Sequence, residues 1–459
     1  MGVGLPALSP MKMPPVLLFA LIVFGAAVPL SAQPADAIRI SDLSGTTDAS
    51  IREILRVVAR HQREASSPAY GTGKVSPRPP LQDGDYAPVE SLAAAAAARP
   101  PAGVEWYYPW GVTLYGMMRS VDATGDTAIA DWVQEHNRIL ARYWAWLETV
   151  PHPEGDAEAW KAFERKSPLM QLLRVGNLDN TGAMGAAFLE GMLRAPEKAT
   201  VEEKRVVQRV ADWIVDRQER LPDGTFWRPA MTASGGRDWP NGTIWADDLY
   251  MSCPFLVRWA AFTGNGKHLT DAAHQVINMA ARLQDADGVW WHGYSVPLKK
   301  TSPFKWSRAN GWILVTTVEV LSALPEDHPD RAALLDIFRR HVAGVKKYQP
   351  ASGVWANLVD RTDIWPETSG TLMFAYAIAR GVNRGWLPAE DMAVARKAFA
   401  GVASNYLTPE GVLKGAVRGT GIGLTLAYYA GRERFDDGEH GRGPLLLAGT
   451  EILNPRPAK

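Results

Sequence analysis

Residues 306–347 read WSRANGWILVTTVEVLSALPEDHPDRAALLDIFRRHVAGVKK. Gly311 to Val318 carries no charge on any side, and a helix that is apolar all round has to be buried all round. After Asp330, Leu334, Phe338, Val342 and Val345 recur at helical spacing, with Asp336, Arg339, Arg340 and Lys346 around them. That is the pattern of a helix with one buried face. The quoted stretch is therefore a hairpin of two layers, one helix fully inside and one at the surface.

The same alternation extends outward in both directions. Between Ser50 and Ala430 periodicity predicts about twelve helical segments and almost no alternating strand pattern. Charge-free segments recur at Gly111–Met118, Thr181–Leu189, Leu249–Val257, Ser369–Ala379 and Gly421–Ala430. Amphipathic partners separate them. One follows Thr200, with a capping box of Thr200 and Glu203 and with Val206, Val210, Trp213 and Ile214 on one face. Another follows Ser50, boxed with Glu53 and carrying Ile51, Ile54, Leu55 and Val58. About six buried helices inside a ring of half-exposed ones make an all-α (α/α)6 barrel. An open solenoid of helix pairs would show a more regular repeat. Residues 76–104, Pro-rich at the ends with an Ala93–Ala98 run, interrupt the scheme as a surface insertion, partly helical or poorly ordered. The tail after Arg432 reads as a loop packed back on the barrel. No linker argues for a second domain, so residues 38–459 read as one catalytic domain.

Composition narrows the function. Of 459 residues, 49 are Lys or Arg and 49 Asp or Glu, which leaves no basic excess for a phosphate backbone, and nucleic acid is not an expected partner. One cysteine, Cys253, excludes an internal disulfide and a multi-cysteine metal site. Residues 1–37 read as an export signal, with Lys12, an apolar Val16–Leu30 stretch, and cleavage after Ala32 or Ala37. The apolar run is shorter than the ~20 residues of a spanning helix. The expectation is a periplasmic or secreted protein with no membrane attachment after signal removal, a monomer or weak oligomer.

At the starts of the buried helices lie Trp106-Tyr107-Tyr108-Pro109-Trp110, Leu178-Asp179-Asn180-Thr181-Gly182, Trp245-Ala246-Asp247-Asp248, Trp306-Ser307-Arg308-Ala309-Asn310-Gly311-Trp312, Trp365-Pro366-Glu367-Thr368-Ser369-Gly370 and Gly419-Thr420-Gly421. With parallel inner helices all six gather at one mouth. Indoles there stack on pyranose C–H faces while carboxylates and amides bind hydroxyls. Of the 18 Trp, many fill the core; Trp110, Trp245, Trp306 and Trp312, next to polar residues at helix starts, are the sugar-binding candidates. Asp179 and Asp247 each have a plainer reading as helix caps. Asp247 and Asp248 point roughly 100° apart on a helix, so one faces the mouth and the other caps. His292, in Trp290-Trp291-His292-Gly293-Tyr294, sits in a short strand-like segment. The sequence has neither a His-Glu-x-x-His zinc motif nor a Gly-x-Ser-x-Gly elbow. Asn241-Gly242-Thr243 reads as a turn.

These motifs in order, with His292-Gly293-Tyr294 and Gly441-Arg442-Gly443-Pro444-Leu445-Leu446-Leu447-Ala448-Gly449, resemble glycoside hydrolase family 105, the unsaturated rhamnogalacturonyl hydrolases, and the related family 88 unsaturated glucuronyl hydrolases, from about Trp106 to Glu451. The resemblance implies an (α/α)6 barrel without metal or organic cofactor. It also implies hydration of the C4=C5 bond that a lyase leaves in a terminal uronic acid: an acid protonates C4, water adds at C5, and the hemiketal opens and releases the rest of an unsaturated oligosaccharide. By the same resemblance Asp247 is the acid, Asp179 tunes it or positions water, and His292, Arg308 and Trp312 contact substrate, Arg308 through the uronate carboxylate. An acid of this kind must keep its proton near neutral pH, for which burial among Trp245 and its aromatic neighbours beside a second carboxylate is the expected means. Two other readings stay open. One is an inverting glycosidase using Asp247 and Asp179 roughly 6.5–9.5 Å apart on a saturated sugar. The other is a periplasmic glycan-binding protein.

Overall fold

The computed structural model describes residues 39–64, 67–68, 75–76, 79–152, 157–234 and 239–454; the expected signal segment lies outside them. Twelve helices alternate between the two layers. The outer ones are α1 (Asp48–Glu64), α3 (Thr127–Leu147), α5 (Val201–Ile214), α7 (Lys267–Leu283), α9 (Arg331–Lys347) and α11 (Met392–Tyr406). The inner ones are α2 (Tyr108–Thr124), α4 (Gly182–Arg194), α6 (Cys253–Thr263), α8 (Ser307–Ala323), α10 (Thr368–Asn383) and α12 (Glu439–Leu453). Each inner helix packs on the next, and α12 returns to α2, so the ring closes. This is the (α/α)6 barrel, and it rules out an open solenoid.

The burial pattern follows the charge pattern. In α8, fifteen successive residues from Ser307 to Leu321 are buried. In α9, Leu334, Phe338, Val342 and Val345 are buried while Arg339 and Arg340 face solvent. Helix α5 starts with the expected capping box of Thr200 and Glu203. Helix α1 does not start at Ser50: it begins earlier, where Thr47 Oγ1 accepts the Ser50 N–H, and Glu53 instead accepts from Ser41.

The sixth inner helix is the principal correction. Gly421–Ala430 forms only a short helix, Leu426–Ala430, because Gly421 and Gly423 break it. The role falls to α12 in the tail expected to be a loop. Its glycines are there for close packing rather than for turns: a Cβ on Gly443 would lie 2.4 Å from the Val112 carbonyl oxygen of α2, and one on Gly116 2.6 Å from that of Gly443. Bare backbones let α2 and α12 touch and close the ring. Pro444 lies in the second turn of α12 without ending it.

Residues 79–104 carry a short helix, Leu92–Ala97, capped by Ser91. They are anchored on α3 through the Trp146 indole N–H to the Ala87 carbonyl and an Arg142–Asp83 ion pair. A small antiparallel sheet of β1 (Thr243–Trp245), β2 (Gly293–Ser295) and β3 (Lys300–Thr301) crosses the mouth, and β4 (Ala416–Val417) pairs with β5 (Arg434–Phe435).

Candidate active site

The first turns of the inner helices meet at one end, where Tyr108 of α2 bonds His440 of α12 at 2.7 Å and Arg308 of α8 reaches Ser369 of α10 at 3.3 Å. The sheet brings in the rest. Strand β1 pairs with β2 so that Trp245 faces Gly293, and the Ala246 N–H donates to the His292 carbonyl at 3.1 Å. That register places Asp247, in the first turn after β1, beside His292, the residue before β2. Gly293 lets Ile422 pack close here: a Cβ would lie 2.2 Å from Ile422 Cδ1 and push that side chain aside.

Asp247 is buried with a side chain 12% exposed. Its Oδ2 meets His292 Nε2 at 3.1 Å, and no ion-pairing Lys or Arg reaches it among the described residues. Asp248 points away, as the roughly 100° step requires, but it caps nothing. It is fully buried and takes three hydrogen bonds from Arg228. The other edge of Arg228 grips both oxygens of Asp179 at 3.0 and 2.9 Å. Its guanidinium carbon lies 4.6 Å from the centre of the Trp245 ring. Burial pushes the Asp248 carboxyl up to about 6 against the pull of Arg228. Asp179 is likewise no cap: Asn177 takes that place through the Asn180 N–H. Sequence reasoning missed Arg228, which lies in a segment outside every helix; the two carboxylates it neutralises were the only signal that a cation was needed.

Around this core, His292 lies against Trp306 with centroids 4.7 Å apart and edge-on to Trp245 at 6.1 Å. Arg308 is buried under the segment after β4, held by the Val417 and Arg418 carbonyls and lying over Trp306; no carboxylate pairs with it among the described residues. Trp312 packs on Tyr250 at 4.4 Å and against Tyr108. Trp110 is not among them. Two positions into α2, it faces outward between the layers, donating its indole N–H to His136 and packing edge-on to Trp132 of α3. Glu367 also belongs to the mouth, but its carboxylate is spent on the Ser369, Gly370 and Val417 backbone N–H groups. Cys253 is buried, and Gly242 takes the left-handed conformation of a turn. Among the described residues no group of His, Cys, Asp or Glu could hold a metal ion, and no helix is long and apolar enough to cross a membrane.

Known proteins share this architecture. A solved structure described as a possible member of family GH105 from Klebsiella pneumoniae superposes with a TM-score of 0.66 at 21% identity, covering 97% of this chain and 99% of that one. The unsaturated 3S-rhamnoglycuronyl hydrolase of an Alteromonas species is 25% identical over 312 residues, 65% of this chain and 73% of that protein. A 24.9 kDa protein in the picA locus of Rhizobium radiobacter is 31% identical over 230 residues, 44% of this chain and 98% of its own length. The model of Glycosyl Hydrolase Family 88 matches residues 94–455. With its barrel, its ordered motifs and that match over most of its length, the chain is a glycoside hydrolase and belongs to Glycosyl Hydrolase Family 88.

Proposed function

We propose that Asp247 is the proton donor with which this hydrolase removes a 4,5-unsaturated uronic acid from the non-reducing end of lyase-generated oligosaccharides. One observation carries the assignment. Of the mouth carboxyls Asp179, Asp247, Asp248 and Glu367, three are committed, two to Arg228 and one to backbone N–H groups. Asp247 alone of these four keeps an oxygen, Oδ1, without a protein partner among the described residues. A group that must give a proton to carbon and then take one from water has to be free to exchange it.

The chemistry balances on one carboxyl. Asp247 protonates C4, water adds at C5 as its proton returns to Asp247, and the hemiketal opens and expels the remaining chain. Asp179, clamped by Arg228, supplies charge and shape beside the reacting ring. Its two oxygens are held, which argues against the inverting pair, since that mechanism needs a second carboxylate to draw a proton from water. Arg308, a buried cation held among the described residues only by neutral acceptors, is suited to the uronate carboxylate. Trp245 lines the mouth, and Trp306 and Trp312, fully buried, back the residues that face it. The name of the Alteromonas relative favours a rhamnose-type leaving sugar. The apolar N-terminal stretch supports export to the periplasm or medium, and a monomer or weak oligomer is the working assumption for assembly.

The test follows the absorbance of the C4=C5 bond while enzyme meets lyase-generated oligosaccharides from pectic and algal polymers. Decay with the wild type and not with Asp247→Asn is expected. Decay with neither protein on any of them, or with both, sinks the assignment.

A further inference from the structure

His292 is held on both ring nitrogens. Nε2 faces Asp247 Oδ2 at 3.1 Å, and Nδ1 faces the Tyr429 hydroxyl at 2.6 Å. That hydroxyl also receives the Gly423 backbone N–H at 2.9 Å. Donors and acceptors can therefore be counted. A peptide N–H only donates, so Gly423 occupies one lone pair of the phenol oxygen. Burial pushes the phenol upward, away from ionisation, so the oxygen carries a proton that needs an acceptor. Among the described residues the acceptor within reach is His292 Nδ1. A neutral imidazole whose Nδ1 accepts carries its hydrogen on Nε2, and that N–H points at Asp247.

We propose that Tyr429 is a positioning residue for the reaction: it locks His292 in the Nε2–H tautomer, so that His292 donates to Oδ2 of Asp247 and the transferable proton sits on Oδ1, the oxygen open to the mouth. The opposite tautomer would leave the phenol proton without an acceptor. It would also make Nε2 an acceptor that draws the Asp247 proton away from the sugar. In the step itself Asp247 Oδ1–H forms the new C–H bond at C4, and the carboxylate left behind is met by the His292 N–H already aimed at it. When water bonds C5, its proton returns to Asp247. His292 and Tyr429 gain and lose nothing; they set where the proton starts and ends.

The local sequence supports the lock. Tyr429 sits on the short helix Leu426–Ala430, started by Thr425, whose hydroxyl accepts the Tyr428 N–H. The preceding glycine-rich turn is pinned by the two tyrosines, with Gly421 N–H on the Tyr428 hydroxyl and Gly423 N–H on that of Tyr429. Trp306 and Trp245 fix the ring plane, and the His292 backbone N–H is tied to the Phe304 carbonyl at 3.0 Å.

The inference rests on Asp247 being the acid, and its test separates the two. Nitrogen-15 spectra of the full chain labelled at histidine, with the His292 signals assigned by their loss in His292→Gln, report the tautomer without any substrate. The expected wild-type result is a protonated Nε2 and an unprotonated Nδ1. Tyr429→Phe is expected to shift these signals toward Nδ1–H and to lower kcat by about 10–100-fold, the range for losing a partner that orients a working group, with KM within about twofold. A protonated Nδ1 in the wild type, or Tyr429→Phe with wild-type kcat, overturns the proposal. If the variant does not fold, the wild-type spectrum decides alone. Activity retained by Asp247→Asn would sink the acid assignment and leave the tautomer result standing.

Discussion

Both ends of the barrel bury charge, and they balance it differently. At the end away from the mouth, about 18 Å along α8 from Ser307, Glu319 accepts hydrogen bonds from Tyr115, Tyr376, Arg380 and Arg258. Arg258 continues to Glu190 and Arg380 to Glu451. All six inner helices contribute to this ring, and each of its cations has a carboxylate. At the mouth, Arg228 is matched by two carboxylates, but among the described residues Arg308 is held only by neutral acceptors and Asp247 only by a histidine. A finished network stabilises; an unfinished one waits for a ligand to complete it. The same kind of residue thus closes the fold at one end and supplies the chemistry at the other.

The largest expected effects come from making one change at both ends. Asp247→Asn should lower activity by about three orders of magnitude, within the usual range for a general acid, and leave the unfolding midpoint in place. Glu319→Gln should do the reverse. It removes the carboxylate shared by Arg258 and Arg380 but leaves each its second one, Glu190 and Glu451, which costs about 1–3 kcal/mol, while kcat at room temperature stays near wild type. Denaturant melts and absorbance assays on both variants decide it. If Glu319→Gln loses activity without losing stability, the two ends are coupled and the division fails.

Acid should attack the far end through the same residue. Burial alone would raise the Glu319 carboxyl, but the Arg258 and Arg380 guanidiniums beside it reverse that and hold it down to about 2, from an ordinary 4.5. A carboxyl lowered on folding contributes stability that is full above its unfolded value and is lost as pH falls toward the folded one. Between about pH 4.5 and 2 the wild type should therefore lose stability that Glu319→Gln no longer has to lose, and the gap between their melting curves should narrow. A constant gap across that window would mean that the ring does not titrate as a unit.

A smaller effect is expected from Arg308→Lys. Lysine keeps the charge but cannot span the Val417 and Arg418 carbonyls while presenting a planar edge. Activity on uronate-terminated oligosaccharides should fall about 10–100-fold, carried by KM, if the loss is one charge-assisted pair of hydrogen bonds. An unchanged KM would move uronate recognition to another residue.

Much of this contrast was legible in the sequence, and its gaps have physical causes. The inner helices showed because burial on all sides excludes charge, Asp247, Asp179 and Arg308 showed because packing does not ask for them at helix starts, and His292, in a strand-like segment, showed only through the family resemblance. The far-end ring was invisible: Glu319, Arg258 and Arg380 lie just beyond the ends of the charge-free windows and find one another only across the barrel. Arg228 sits in a segment with no helical period, and Tyr429, inside the charge-free Gly421–Ala430 stretch, looks like packing for an inner helix. Helix α12 was hidden because glycine and proline signal loops, and nothing local says that Gly443 is there to let α2 touch it.

Trp110 tests the remaining correction. The sequence sets it beside Trp245, Trp306 and Trp312, but a residue two positions into α2 turns toward the outer layer, and its indole N–H is used up on His136 at 2.9 Å. Trp110→Phe deletes that bond and part of the ring, leaving a buried imidazole nitrogen without its donor. The cost should be about 1–2 kcal/mol in stability, with KM unchanged because the mouth surface is untouched. The same substitution at Trp245, whose indole bears on Arg228 and His292, should move the kinetics instead. Should Trp110→Phe raise KM several-fold with stability unaltered, the indole belongs to the sugar site after all, and α2 must sit rotated from the position that closes the ring against Gly443.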